Sequence, residues 1–242
     1  MKKLKKALIL LLCAALLVGA SIAGTVAYLT STQTVKNTFT VGDIEIKLDE
    51  AVVDEEGQAV TGDNAGRTTD GNTYHLQPNL TYDKDPTVWV KEGSEEAYIR
   101  MIVTVSNYDK MLQAFESDAT YDDDYIVGEM VVLDKLVDRN SSAWEFVEFE
   151  KNSTTVTEDG ETTTLVTGTY IFNYYPGAYK VPAGDEEYVA LPALFTTITV
   201  PKEIDNAHLA YLNDTTVTVT AQAIQTAGFT SVEKAWEAFP AN

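Results

Sequence analysis

The stretch Ala97-Tyr-Ile-Arg-Met-Ile-Val-Thr-Val105 decides the fold class. Its odd positions, Ala97, Ile99, Met101, Val103 and Val105, are all apolar, and its even positions carry Tyr98, Arg100 and Thr104, with Ile102 the one exception. A repeat of two is the period of a strand with one buried face, because successive side chains point to opposite sides. Upstream, Thr87 to Lys91 sets Val88 and Val90 against Thr87, Trp89 and Lys91 in the same way. Glu92–Gly93–Ser94 reads as a short turn between them, so an antiparallel pair is the simplest expectation.

Strand signals continue outward in both directions. Ile44, Ile46 and Leu48 alternate with Asp43, Glu45, Lys47 and Asp49, and residues from Glu55 to Gly71 form a polar, glycine-containing surface loop or insertion. Downstream, Met111 to Phe115 fits a short helix, and Ile126 to Val137 is open between helix and strand. Trp144, Phe146 and Phe149 suggest a further strand. Asp159–Gly160, set between Ser153–Thr157 and Thr162–Thr167, is the strongest hairpin signal, and the second run reaches Tyr174 before a Pro176–Gly177 turn. Leu194 to Val200 and Thr215 to Ala223 have the Val/Ile/Thr/Ala character of strands. At the C-terminus the period changes: Thr230 with Glu233 fits a capping box, and Val232, Ala235, Trp236 and Phe239 share one helical face. Many short strands with turns at their joints and little helix predict an all-β, jelly-roll-like β-sandwich with a short C-terminal helix and long surface loops.

The N-terminus carries a different message. Lys2, Lys3, Lys5 and Lys6 precede an unbroken apolar run from Ala7 to Val18, and Gly19 to Ala27 is small and weakly polar, the three-part layout of a secretory signal peptide. The apolar segment is nearly long enough to span a bilayer, so an uncleaved anchor is the alternative, and membrane association is expected only through that segment. From Leu29 to Val41 every even position is Thr or Lys, whereas Leu29, Val35, Phe39 and Val41 are apolar odd positions. That is a strand with one face to bury. Gly42 then breaks the parity, which suggests a bend or hinge between two strands. The expected division is a signal peptide over 1–27, a candidate donor strand over 28–41 and a sandwich domain over 42–242, with signal-peptidase cleavage between Ala27 and Tyr28.

Composition narrows the function classes. The chain has 17 basic and 37 acidic residues, and four of the lysines precede Tyr28, so the mature chain has 13 against 37, a net charge of about −24. Such a surface argues against nucleic acid and against anionic lipid. The one cysteine, Cys13, lies in the apolar run, so no disulfide is expected in the mature protein; Leu12 before it is a poor match to a lipidation site. His75 and His208 stand in unrelated contexts without metal-ligand spacing, and no Gly-x-Ser-x-Gly elbow or phosphate-cradling glycine loop is present. No catalytic residues and no cofactor are expected. Asp122, Asp123 and Asp124 are weak candidates for a calcium-tolerant loop, although no Asp-x-Asp-x-Asp-Gly pattern follows.

The segments Gly24-Thr-Val-Ala-Tyr-Leu-Thr-Ser-Thr32 and Asn37-Thr-Phe-Thr-Val-Gly-Asp-Ile-Glu-Ile-Lys-Leu48 resemble the TasA/camelysin family of exported biofilm-matrix fibre proteins, which depend on a SipW-type signal peptidase. Asp85-Pro-Thr-Val-Trp-Val-Lys-Glu-Gly-Ser-Glu-Glu-Ala-Tyr-Ile-Arg100, Ala221-Gln-Ala-Ile-Gln-Thr-Ala-Gly-Phe229 and Ala235-Trp-Glu-Ala238 look like members of the same group and follow in the same order. Residues from Lys110 to Val181 find no counterpart. The resemblance implies a jelly-roll subunit of extracellular matrix fibres from a Gram-positive bacterium, cleaved near Ala27–Tyr28. It further implies a homopolymer built by donating the freed N-terminal strand to the next subunit. Some relatives are described as metallopeptidases, for which this sequence has no recognisable metal motif. The expected function is a secreted structural subunit, with a monomeric extracellular binding module or adhesin as the alternative and a camelysin-like metallopeptidase behind it.

Overall fold

The computed structural model describes residues 30–32, 43–115, 133, 136–158, 161–213 and 215–240. Eleven strands run in chain order among these residues: β1 (Thr30–Thr32), β2 (Ile46–Ala51), β3 (Arg67–Thr68), β4 (Thr81–Asp83), β5 (Thr87–Lys91), β6 (Ala97–Val105), β7 (Trp144–Glu158), β8 (Glu161–Tyr174), β9 (Tyr188–Ala190), β10 (Thr197–Thr199) and β11 (Val217–Gln225). They are accompanied by α-helices α1 (Tyr108–Phe115), α2 (Asn206–Leu209) and α3 (Val232–Glu237). The strands form a five-stranded sheet in the order β1-β11-β6-β8-β7, a four-stranded sheet β3-β2-β5-β9 and a small pair β10-β4. Every pairing is antiparallel. The chain is an all-β sandwich with a short C-terminal helix.

The core forms where the inner faces of the two larger sheets meet. From the five-stranded sheet come Ala97, Ile99, Met101, Val103 and Val105 of β6, Tyr170 and Phe172 of β8, and Ala221 and Ala223 of β11. Ile46, Val88 and Val90 face them from the other sheet, and Trp144, Phe115 and Phe195 belong to the same buried cluster. The alternation in β6 is complete, with each odd residue buried and each even residue part-exposed. Trp144 is fully buried and donates its indole N–H to the Pro192 carbonyl at 2.8 Å, which leaves no unsatisfied polar atom on that ring. Gly168 sits in β8 because a Cβ there would lie 2.5 Å from the Tyr108 ring, and Tyr108 in turn meets the Tyr170 hydroxyl at 3.0 Å.

Three local expectations change. The segments Thr87–Lys91 and Ala97–Val105 are strands, but they do not form a hairpin: β5 belongs to the four-stranded sheet and β6 to the five-stranded one. Alternation fixes that each has a core-facing side and says nothing of which sheet each joins. Here the chain at Glu92–Glu96 crosses the end of the sandwich, where Glu92 N–H bonds Glu187 and Glu95 N–H bonds Asp43. The two valines of β5 therefore face the β6 core residues across the interior.

The second change is at the C-terminal helix, whose N-cap is Ser231 and not Thr230. The Ser231 hydroxyl accepts from the Lys234 N–H, and the side chain of Glu233 bonds back to Ser231, which holds its carboxyl below the ordinary range. The third concerns Trp144, Phe146 and Phe149, whose spacing changes parity. The register shift falls between Phe146 and Glu148, so Val147 is an inserted residue with half its surface exposed. This bulge returns Phe149 to the face of Phe146. The hairpin expected at Asp159–Gly160 is present in the register, Glu158 opposite Glu161, and it is longer than its two threonine-rich runs, from Trp144 to Tyr174.

Candidate functional site

The edge of the five-stranded sheet at β11 is where the N-terminal segment meets the domain. Thr30 pairs with Ile224, Ser31 with Ala223 and Thr32 with Gln222, antiparallel. Beneath this pairing Gln222, Ala223 and Ile224 are buried; further along β11, Val217 and Val219 are only partly buried and Thr218 is exposed. Among the described residues β1 covers the first stretch and stops there. Beyond it a groove follows the β11 edge, lined by Ile46, Leu48, Thr69, Val219, Thr220 and Ala221. It continues past Leu48 towards Glu50, Lys84 and Val217.

The wall of this groove is unusually well tied. Glu50 and Lys84, both buried, form an ion pair. Asn72 Nδ2 donates to Glu50 Oε1 at 2.9 Å and to the Ala51 carbonyl at 2.8 Å, so the carboxylate is held from two sides. Arg67 bridges Asp49 at 2.5 Å and Asp85 at 2.7 Å, and the Trp89 indole N–H adds a 2.7 Å bond to Asp49. Burial works against the Arg67 charge, yet the hydrogen bonds and charges of Asp85 and Asp49 outweigh it and raise its pKa. Burial likewise pushes the Tyr74 hydroxyl well up, with the Glu50 charge adding to it. A buried pair is costly to form and costly to break, so its effect is to fix position. Here it fixes the position of the β2–β5 wall beside β11.

Several sequence-derived residues fall elsewhere. Ala27, Tyr28, Leu29, Val35, Phe39, Val41 and Gly42 lie outside the described residues, as do Asp122, Asp123 and Asp124. Of the candidate donor strand, Thr30–Thr32 are placed, on β11 of their own chain. His75 is exposed, and His208 lies in α2, where Asp205 is the N-cap: Asp205 Oδ1 accepts the His208 N–H at 2.9 Å and meets His208 Nδ1 at 2.8 Å. The structure does not bring the two histidines into one cluster with acidic groups; among the described residues no three His, Cys, Asp or Glu side chains are grouped to hold a metal. Among the same residues no helix is long and apolar enough to cross a membrane. The groove wall was not visible in the sequence, because Glu50, Arg67, Lys84 and Asp85 come together only through the β2–β3 and β2–β5 registers.

What these elements offer chemically is main-chain hydrogen bonding along an edge, beside apolar pockets, on an antiparallel β-sandwich. Searches against family models, curated proteins and solved structures found no match to this chain.

Proposed function

We propose that this protein is a secreted structural subunit that assembles into fibres by adding its N-terminal strand to the β11 edge of a neighbour. The observation that carries this reading is the β1–β11 pairing. In it Thr30, Ser31 and Thr32 lie antiparallel on β11 of their own chain, through three residue pairs. Residues 33–45 connect β1 to β2 in the opposite sheet, and an extended chain of that length reaches roughly 43–47 Å. Exchange between copies needs such a length of chain, and the exchanged strand makes the same hydrogen bonds in the neighbour. Continuing the register in the assembled state brings Val35 opposite Val219, both on the core-facing side, where the groove beside Ile46 and Leu48 receives an apolar side chain. The contact is heterologous, strand on one copy and edge on the next, so it propagates as a filament. The signal-like N-terminus, the acidic composition and the resemblance to the TasA/camelysin fibre proteins support the same reading.

The same pairing also favours a second reading, in which β1 stays on its own β11 and the protein works as a monomeric extracellular binding module. Electron microscopy of the mature chain beginning at Tyr28 separates the two. Fibres are expected from the mature protein at moderate salt, and a variant lacking Tyr28 to Asn37 should remain a soluble monomer with its thermal transition within a few degrees of the parent. A mature protein that stays monomeric, or a deletion that unfolds the domain, would contradict the proposal.

A further inference from the structure

Among the described residues the buried charged side chains are Glu50, near the end of β2, and Lys84, directly after β4, each 7% exposed. They meet one another, Lys84 Nζ on Glu50 Oε2, with Nζ 5.8 Å from the centroid of the Tyr74 ring. A third side chain completes the group. Asn72, part-buried in the loop between β3 and β4, donates from Nδ2 to the other carboxylate oxygen, Glu50 Oε1, at 2.9 Å and to the Ala51 carbonyl at 2.8 Å. Its Oδ1 accepts the Val53 N–H at 3.2 Å. One carboxyl group therefore holds an amine on one oxygen and a carboxamide on the other. An ion pair alone needs no carboxamide beside it, and these three are the parts of an amide-forming reaction: a nucleophile, a proton carrier and an acyl group.

We propose that Lys84 and Asn72 join in an intramolecular isopeptide bond, with Glu50 as the catalytic carboxyl group. Lys84 passes one proton to Glu50 along their contact, which replaces two buried charges by a neutral amine and a neutral acid. The freed lone pair on Nζ attacks Cγ of Asn72, and the flexible lysine stem supplies the movement this requires. Negative charge gathers on Asn72 Oδ1, where the Val53 N–H already donates. Glu50 gives its proton to Nδ2 as the Cγ–Nδ2 bond breaks, and takes a second proton from Nζ as the new amide becomes neutral. That second proton leaves with the ammonia as ammonium, so Glu50 ends as the carboxylate it began. An ammonium side chain and a carboxamide become a secondary amide and an ammonium ion, with no change of total charge or oxidation state and no co-reactant. Burial of Glu50 and Lys84 keeps water from competing for Cγ.

The bond closes the chain between residues 72 and 84 and pins the β3–β4 loop where β5 begins. A cross-link of this kind limits the freedom of the unfolded chain, as a disulfide does. With Cys13 as its one cysteine, the chain has no intramolecular disulfide to serve that purpose. The inference is independent of the assembly proposed above.

Tryptic digestion and mass spectrometry of the full chain, folded and then denatured, test it. Trypsin does not cut after an acylated lysine, so the expected product is one peptide over residues 68–91. It should be lighter than its sequence mass by one ammonia, and single backbone breaks between Asn72 and Lys84 should release no fragments. Lys84→Arg removes the nucleophile and should restore the full mass with cleavage after position 84. Glu50→Gln removes the proton carrier and should slow linkage by about a hundredfold or more, whereas Glu50→Asp, which keeps a carboxyl group, should slow it less. Circular dichroism identifies the variants that are folded, and the parent digest decides the bond whether or not they are. Parent peptides over 68–84 and 85–91 at full sequence mass would overturn the proposal. So would an ammonia loss that persists in Lys84→Arg, because it would then come from Asn72 and its own backbone. Linkage at the parent rate in a folded Glu50→Gln would overturn the role of Glu50.

Discussion

Asp138 ties the chain ahead of β7 to the start of β10. Its Oδ1 accepts the N–H groups of Thr196 and Thr197, each at 2.7 Å, and its Oδ2 accepts the Thr196 hydroxyl. What burial there is pushes the carboxyl up, but these bonds outweigh it and hold its pKa below the ordinary value. A depressed carboxylate contributes stability above the unfolded-chain pKa of about 4, and that contribution is lost as pH falls through the lower folded value. Because Asp138 is exposed, solvent screening limits the effect to about 1 kcal/mol, or about 2–4 °C in a protein of this size. Asp138→Ala should therefore melt a few degrees below the parent at pH 7, and the gap should narrow as the pH falls below about 4 into acid. Circular-dichroism melts across that range check it; a gap that stays constant in acid would show that the charge is not involved. Nothing in the sequence marks this aspartate, since its partners lie 58 and 59 residues away. By contrast, the alternation of β6 set Arg100 on the side away from the core.

At the scale of elements, single strands were legible and their partners were less so. The period of two in β5 and β6 and the Val/Ile/Thr/Ala character of β11 are local properties, so each was found from its own residues. Pairing is a long-range property, and only the β7–β8 hairpin, whose two-residue turn is itself a local signal, could be paired from the sequence. The β5–β6 turn was misread because five residues with one glycine serve equally to reverse a strand within a sheet or to cross between sheets. Val147 gives a direct test of the β7 register. Deleting one strand residue ordinarily flips every side chain beyond it. Deleting Val147 should instead remove the bulge and leave Trp144, Phe146 and Phe149 facing inward in unbroken alternation, at a cost within about 1 kcal/mol. Deleting Thr169 from β8 should reverse Tyr170 and Phe172 relative to Val166 and prevent folding. Denaturant titrations of the two variants decide the matter, and a Val147 deletion as damaging as the Thr169 deletion would contradict the register.

For the whole molecule, the sandwich architecture was readable because strand period, turn residues and the late switch to a helical period agreed with one another. Of the alternation after Tyr28, Thr30–Thr32 fall among the described residues, and their pairing with β11 is a long-range register that the alternation does not contain. The central claim is that this pairing is made between molecules in the assembled state. Cys13 is the chain's one cysteine and precedes Tyr28, so a chain made to begin at Tyr28 has none and introduced cysteines report without interference. Thr32 and Gln222 are direct cross-strand partners, close enough for a disulfide between neighbouring strands. Two mature variants, Thr32→Cys and Gln222→Cys, would be mixed under assembling conditions, oxidised, and separated on a non-reducing gel. The account predicts a disulfide-linked dimer containing one chain of each variant, formed in the mixture and not by either alone. A mixture that assembles without that dimer, while a Thr32→Cys/Gln222→Cys double variant closes its disulfide within a single chain, would contradict it.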